Sequence, residues 1–391
     1  MDQSFTQTNS RSICFVHDWL VTMRGGEKVL ESMVELFPEA SIYTLFYKRQ
    51  KLSPLLQTRK IYTSFLQYLP GIEHYYRFLL PLFQLAIRSI NVLNYDVVIS
   101  SSHCVAKAVK TKKNSVHICY CHTPMRYLWG FQESYFGNFP TFLRKLIELF
   151  FHFLKKWDIK TSQHVDYFIA NSKNTAQKIK KIYNCESTVI HPPFDPIPSK
   201  IHPTKESGNY YLIVSALVQY KRIDLAIEAF NRSGKSLRIV GDGPLKEHLM
   251  KLVRSPEIKF EGWVDQEMLW KCYANCKALI FPGEEDFGIV PLEAQSFGKP
   301  VIAYGRGGVT ESVIPANREP RSLSQCTGLF FDEPTEESLF ECVQKSESLV
   351  FNEEFIRSHV TQFNKEHFQK KILNFLISKG VYFGSENQPS L

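Results

Sequence analysis

The chain has 391 residues and a mass of 45.4 kDa, more than one hydrophobic core usually holds, so about two or three domains are expected. Hydrophobic residues make up 44% and charged residues 22%, with no low-complexity block, which excludes a mainly disordered, collagen-like or coiled-coil chain. The net charge of +8 is uneven: residues 1–195 carry 24 Lys and Arg against 14 Asp and Glu, while residues 196–391 carry 23 against 25, so the first half suits a polyanion.

The longest uncharged apolar run, Phe78–Ile87, has ten residues and includes Pro81 and Gln84, far short of the roughly 20 that span a bilayer. The first ten residues lack the basic start and apolar core of a secretory signal, which predicts a cytosolic chain. Nine cysteines with no Cys-x-x-Cys pair predict reduced thiols, with neither a disulfide framework nor a zinc site.

In the first half, Ser12–Val16, Val97–Ser100, Val116–Cys119, Tyr167–Ala170 and Thr188–Ile190 read as strands, each followed by an amphipathic stretch. Gly25 and Gly26 precede a predicted helix whose unpaired N–H groups suit a phosphate, although a plain turn would also use them. His122 falls just after the third run; a lone histidine there is usually structural. Tyr75–Ile90 and Leu143–Ile159 mix aromatic and aliphatic residues with Arg77, Arg88, Arg144, Lys145, Lys155 and Lys156. Such stretches suit either core packing or contact with anionic lipid, and the basic excess favours lipid. The segment His191–Pro203 holds five prolines and cannot sustain a helix or a central strand. It divides the chain into a domain over 1–192, a linker over 193–208, a domain over 209–365 and a closing stretch over 366–391, whose helix Glu366–Ser378 is placed back on the first domain and whose tail after Gly380 frays.

The second half repeats the rhythm with Tyr211–Ser215, Ser236–Val240, Ile258–Glu261, Ala278–Phe281 and Pro300–Ala303. Strands and helices alternating at this spacing predict an α/β protein of two doubly wound parallel sheets, whose ligands bind at loops beyond the carboxyl ends of strands. The densest such loop is Phe281–Glu293. Gly288 lets backbone approach a ligand, the N–H groups of Ile289 and Val290 suit a diphosphate, and Pro291 opens a helix. Glu285 and Glu293, eight residues apart, can each accept two hydroxyl hydrogen bonds; alone, they read equally as a solvated residue and a helix-dipole partner. Lys221 and Arg222 follow the Tyr211–Ser215 run. Gly241-x-Gly243 lacks the third glycine of a dinucleotide fingerprint and reads as a turn. The glycines of Tyr304–Glu311 read as a turn or as a close backbone approach.

Taken in order, His17–Lys28, Ile118–Gly130, Leu212–Phe230, Val240–Pro244, Phe260–Val264, Phe281–Glu293 and Tyr304–Glu311 resemble the retaining GT-B glycosyltransferases of family GT4, glycosyltransferase group 1. Glu285 and Glu293 match the family's Glu-x7-Glu motif. Within the family the strings are similar to the bacterial O-antigen mannosyltransferase branch, over about residues 12 to 375. The resemblance implies two Rossmann-like domains with parallel sheets facing across a cleft, closing around a GDP-mannose donor. It implies catalytic roles for His122, Lys221, Arg222 and Glu285: the cations stabilise charge on the departing diphosphate, Glu285 orients the sugar and His122 bonds it. Gly25, Gly26, Gly241, Val264, Phe287, Gly288, Ile289, Val290 and Glu293 would bind the donor, with Glu293 on the ribose, and Arg126 an anionic acceptor group. One departure is Ala216, where many relatives have arginine.

The implied reaction is a same-face displacement that retains configuration, with no carboxylate nucleophile identifiable in this chain. No metal or other cofactor is expected, because there is no Asp-x-Asp tripeptide. A glycan or lipid-linked glycan acceptor and peripheral contact with the inner face of an anionic membrane are expected; nucleic acid is not. Rival readings are a UDP-sugar donor and a non-catalytic nucleotide-sugar-binding subunit.

Overall fold

Short β-branched and aromatic runs become thirteen strands in a computed structural model that describes residues 11–130, 141–194, 209–318 and 322–381. Among these residues the chain divides into two units. One holds the residues up to Pro193 and from Lys365 onward, the other Phe194–Asn364.

In the first unit the strands are β1 (Ile13–His17), β2 (Ser41–Thr44), β3 (Ile61–Thr63), β4 (Val97–Ser102), β5 (Val116–Cys121), β6 (Tyr167–Ala170) and β7 (Ser187–Val189). They pair in the order β3-β2-β1-β4-β5-β6-β7, every pair parallel. Alternation sends successive side chains to opposite faces. Phe15, Ile99 and Ile118 share a core with the helix Gly25–Leu36, whereas Cys14, Val16 and Val98 share one with Phe83, Ala86 and Ile87 of the helix Phe83–Ser89. Burial of each such Val, Leu, Ile or Phe side chain stabilises the unit by about 1.5–3 kcal/mol.

The first core is completed by the helix Lys365–Ser378, which buries Phe368, Ile372, Leu373, Phe375 and Leu376 against Val29, Leu30 and Met33. Gln369 Nε2 donates to Ser32 O at 3.0 Å, and Lys365 pairs with Glu35 at 3.0 Å.

The second unit contains β8 (Tyr211–Val214), β9 (Leu237–Val240), β10 (Ile258–Gly262), β11 (Ala278–Phe281), β12 (Val301–Tyr304) and β13 (Gly328–Phe331). Their order is β10-β9-β8-β11-β12-β13, again all parallel. Each sheet therefore reverses its strand order once, at β1/β4 and at β8/β11. Those reversals open a crevice at the carboxyl ends, the usual ligand position in open α/β sheets.

The sequence reading omits β2, β3 and β13. The first two have only four and three residues, and Gly328-Leu-Phe-Phe331 has no β-branched residue to mark it. Other ends move by one or two residues; β1 runs to His17, so this histidine closes the strand. Most of the proline-rich segment, 195–208, and the tail from 382 onward lie outside the described residues. Phe194, at the linker's expected start, is folded: its N–H donates to Phe363 O at 2.8 Å, and its ring is buried with Phe287, Leu292, Val360 and Phe363.

No helix among the described residues is long and apolar enough to cross a membrane. All nine cysteines are free.

Candidate active site

The carboxyl ends of β8, β9, β11 and β12 are drawn together by glycines. Gly241 has φ 130° and Gly307 φ 76°, conformations that side chains rarely adopt. A Cβ on Gly241 would stand 1.9 Å from Ser215 O, and one on Gly243 2.5 Å from Leu217 O, which locks the loop after β9 to the loop after β8. On Gly283 it would stand 2.6 Å from Tyr220 O and 2.8 Å from Lys221 Cα. On Gly307 and Gly308 it would stand 2.4 Å from Glu285 O and 2.2 Å from Asp286 O, and Gly308 N–H donates to Glu285 O at 2.8 Å. The glycines after β12 thus provide a close approach, and the loop they press on carries Glu285.

That approach brings Glu285 to Lys221. The two side chains form an ion pair, 16% and 15% exposed. The ammonium also lies 5.4 Å from the Tyr220 ring centroid and 6.0 Å from that of Phe281. Arg222, expected to act beside Lys221, turns elsewhere. It stands at φ 51° at the start of the helix Ile223–Ser233, and its Nε lies 3.3 Å from each carboxylate oxygen of Asp224.

Gly288, at φ 86°, leads into the helix Val290–Ser296 with Pro291 in its first turn. The N–H groups of Gly288, Ile289 and Val290 meet no acceptor among the described residues. Phe287 buries its ring in the cluster around Phe194, with Ile289 packed against it, so both side chains are taken up by packing. Glu293 accepts from Tyr273 OH at 2.6 Å. Burial, with the Glu293 carboxylate beside it, pushes the Tyr273 phenol well above its ordinary range, so it remains a hydrogen-bond donor. Val264 is half-buried against Val240, Leu279 and Phe281, next to Trp263, which is 79% exposed. Tyr273 and Gly283 escaped the sequence reading. Tyr273 belongs to the helix Gln266–Asn275 with no motif around it, whereas the Pro-Gly after β11 is a signal that could have marked Gly283.

In the first unit the register pairs His17 of β1 with Ser101 of β4. Their side chains lie on one face, with His17 Nδ1 3.0 Å from Ser101 Oγ, and Ser101 Oγ lies 2.8 Å from His122 Nε2. His122 follows β5; its N–H donates to Ser102 O at 2.9 Å and its carbonyl accepts from Asn171 Nδ2 at 2.9 Å. Asp18 fixes the turn after β4, its carboxylate accepting the N–H groups of His103, Cys104, Val105 and Ala106 at 2.7, 2.9, 2.6 and 2.7 Å. Burial pushes the Asp18 carboxyl up, while those donors favour its charged form.

His103 Nδ1 lies 3.2 Å from Asp18, and its ring meets Trp19 edge-on at 4.5 Å. Burial lowers His17 to about 3, and burial with the Arg126 charge lowers His103 to about 4, so both are neutral imidazoles at pH 7. Arg126 opens the helix Arg126–Trp129 and so reaches the histidine group through its field. Gly25 is the first residue of the helix Gly25–Leu36 rather than preceding it, and Glu27 closes a capping box by accepting Arg24 N–H at 3.0 Å. A Cβ on Gly26 would lie 3.6 Å from His122 Nε2 and 3.7 Å from His17 Cε1. Roles for His17, Asp18, Ser101 and His103 were missed, because strand register is not visible in a linear sequence. No group of three His, Cys, Asp or Glu among the described residues is placed to hold a metal ion.

Two family descriptions match the chain: Glycosyltransferase Family 4 over residues 23–197 and Glycosyl transferases group 1 over residues 196–349. Three relatives are similar in part. Sulfoquinovosyl transferase SQD2 of Arabidopsis thaliana is 31% identical over 38% of this chain and 29% of its own length. The α-1,3/1,6-mannosyltransferase ALG2 of Kluyveromyces lactis is 26% identical over 59% and 54%, and O-antigen chain mannosyltransferase C of Escherichia coli 28% over 32% and 38%. The matches thus span less than two thirds of these relatives' lengths.

Among solved structures, sucrose-phosphate synthase of Thermosynechococcus elongatus aligns with TM-score 0.69 at 16% identity, over 95% of this chain and 99% of that one. HepE of Anabaena in complex with UDP aligns with TM-score 0.63 at 16% identity, over 94% and 100%. With its two parallel Rossmann-like sheets in the GT-B fold, and with matches that together run from residue 23 to residue 349, the chain belongs to the glycosyltransferases of the group 1, family 4 type.

Proposed function

We propose that this glycosyltransferase moves mannose from GDP-mannose, with retention, onto a glycan acceptor that is lipid-linked, in the synthesis of O-antigen, lipopolysaccharide or a related polysaccharide. The observation that carries the reading is the Lys221–Glu285 pair, held by Gly283, Gly307 and Gly308 on the loop whose next N–H groups, Gly288–Val290, meet no acceptor among the described residues. Lys221 and those amides stabilise charge on the departing diphosphate, Glu285 takes hydroxyls of the sugar, and Glu293, steadied by Tyr273, takes the ribose. The resemblance to two mannosyltransferases supports the sugar.

In the first unit, Gly25 and Gly26 face the donor, His122 bonds the transferred sugar and Arg126 meets an anionic acceptor group. The diphosphate itself helps to deprotonate the acceptor hydroxyl, and no metal takes part; activity lost to EDTA and restored by manganese would overturn this. Peripheral membrane contact is supported by the segments 65–89 and 148–162. Each buries one face, while Tyr68 and Phe78 stand 84% and 83% exposed and Leu149 and Phe153 55% and 60%. Arg77, Arg88 and Lys156 are exposed in the same segments. Membrane pellets of lysed cells should retain the protein at low salt and release it at high salt.

A UDP-sugar donor is the second reading, favoured by the likeness to HepE in complex with UDP. The melting temperature with GDP, UDP and ADP tests both, because a ligand at about 100 times its dissociation constant adds roughly 2.7 kcal/mol to stability. Selective stabilisation by GDP supports the mannosyltransferase. Stabilisation by UDP alone removes GDP-mannose, and no shift with any nucleotide favours a non-catalytic subunit.

A further inference from the structure

Within the second unit, the sheet order β10-β9-β8-β11 sets the room for a nucleotide. Glu285, on the loop after β11, pairs with Lys221 on one side of β8, so a sugar held by Glu285 leaves its nucleoside the other side, over the ends of β9 and β10. Neighbouring strands stand about 4.8 Å apart, which puts the end of β10 roughly 10 Å from that of β8. Glu293 leans the same way: its donor Tyr273 belongs to the helix Gln266–Asn275, which follows β10.

The ground between is nearly bare. Gly241 and Gly243 lie against the loop after β8, and Gly241 N–H donates to Gly262 O at 2.7 Å, joining the loop after β9 to the end of β10. Asp242, the side chain between the two glycines, accepts Gly243 N–H at 2.7 Å and pairs with Lys246 at 3.4 Å. Beyond them stands Trp263. All five tryptophans are among the described residues, and Trp263 alone is exposed, at 79%. Its indole makes no hydrogen bond and no ring or cation contact with any described residue. The backbone on either side of it is fixed. Gly262, at φ 70°, turns the chain out of the strand, Val264 packs into the cluster of Val240, Leu279 and Phe281, and Asp265 caps the next helix by accepting Met268 N–H at 2.8 Å. An aromatic ring left in water on a fixed backbone meets a flat partner at little ordering cost.

We propose that Trp263 is the platform on which the base of the nucleotide donor stacks, and that it selects a purine over a pyrimidine. The two fused rings of a purine cover more of the indole than the single ring of uracil, and stacking strength follows the area covered. Stacking does not separate guanine from adenine, so the indole sets the class of base only. The inference rests on the nucleotide-sugar reading above and adds to it a side chain that chooses among donors.

The test titrates GDP and UDP into the native protein, Trp263→Ala and Trp263→Phe, reading tryptophan emission, calorimetric affinity and melting temperature. GDP should quench the native emission, and the quenching should vanish in both variants. Trp263→Ala should weaken GDP by about tenfold and UDP by less than about threefold, while Trp263→Phe, which keeps a ring, should hold GDP within about threefold. The ring is exposed, so all three proteins should melt together without nucleotide. GDP that raises the melting temperature and leaves the emission unchanged overturns the proposal, as does an equal loss of GDP and UDP affinity in Trp263→Ala, or binding of UDP alone. If neither nucleotide shifts the melting temperature, the nucleotide-sugar reading fails and the proposal falls with it, a result distinct from binding without quenching.

Discussion

The two switch-point sites are built from different materials. In the second unit, glycines press backbone against backbone, and a few side chains, Lys221, Glu285 and Glu293 with Tyr273, stand on that frame. In the first unit, side chains make the frame: Asp18 gathers four backbone amides, and Ser101 joins His17 to His122. A frame of backbone contacts fails when a methyl is added. A frame of buried neutral rings fails when protons are added.

The largest contrast should come from one methyl in each site. Gly308→Ala places a Cβ 2.2 Å from Asp286 O and 2.3 Å from Phe287 Cα, so the Glu285 loop must move. The expected outcome is a loss of about 3 kcal/mol in denaturant unfolding and loss of the nucleotide-induced shift in melting temperature. Gly26→Ala meets only ordinary contacts at 3.6 Å or more and sits within a helix. Its fold should hold or gain up to about 1 kcal/mol, while the methyl over His17 and His122 lowers turnover.

A second contrast lies within the donor loop. Lys221→Ala removes a cation already set against Glu285, and kcat should fall by about a hundredfold to a thousandfold. Arg222→Ala removes a side chain turned to Asp224, so kcat should stay within about fivefold, the scale of an exposed ion pair. Equal losses in a steady-state assay would mean that Arg222 swings round to the diphosphate.

Acid should separate the two units. His17 is lowered to about 3, and His103 and His117 to about 4, in each case chiefly by burial, all in the first unit. Their native pKa values lie below that of an unfolded histidine, so the unfolded chain binds more protons between pH 6.5 and 4. Stability contributed by these groups is present above pH 6.5 and is lost as pH falls through that window. By pH 5 each accounts for a loss of about 2 kcal/mol. Thermal unfolding from pH 7 to 4.5, followed by hydrogen exchange, should show β1, β4 and β5 losing protection before β8 and β11.

The smallest effect concerns Ala216, which is exposed after β8. Ala216→Arg supplies the cation that the family resemblance implies at this position, and the donor KM should fall by about threefold to tenfold.

Much of the second site was legible, because glycine, proline and carboxylate carry their meaning locally: Gly288, Pro291, Glu285 and Glu293 hold the loop and helix positions read for them. Phe287 and Arg222 were less legible. A phenylalanine beside a ligand loop reads the same whether its ring faces solvent or, as here, a cluster with Phe194 and Phe363, residues distant in sequence. The orientation of Arg222 follows from its φ of 51° and from Asp224 two residues on. In the first site, His122 was singled out through the family resemblance, its place after a strand alone being no signal, and Ser101 was hidden inside the run Ser100–Ser102. Only the pairing of His17 with Ser101 picks out one serine of the three.

The helix Lys365–Ser378 gives the first unit a history as well as a shape. Its core joins Ser32 to Gln369, residues separated by 337 positions, and the whole second unit is spelled out between the two parts. On a ribosome adding about 5–20 residues per second, the first sheet waits roughly 10–40 s for its last helix while Val29, Leu30 and Met33 lack their cover. The second unit can finish folding in that interval. A nascent chain stalled before Lys365 should therefore offer chaperones one finished unit and one open apolar face.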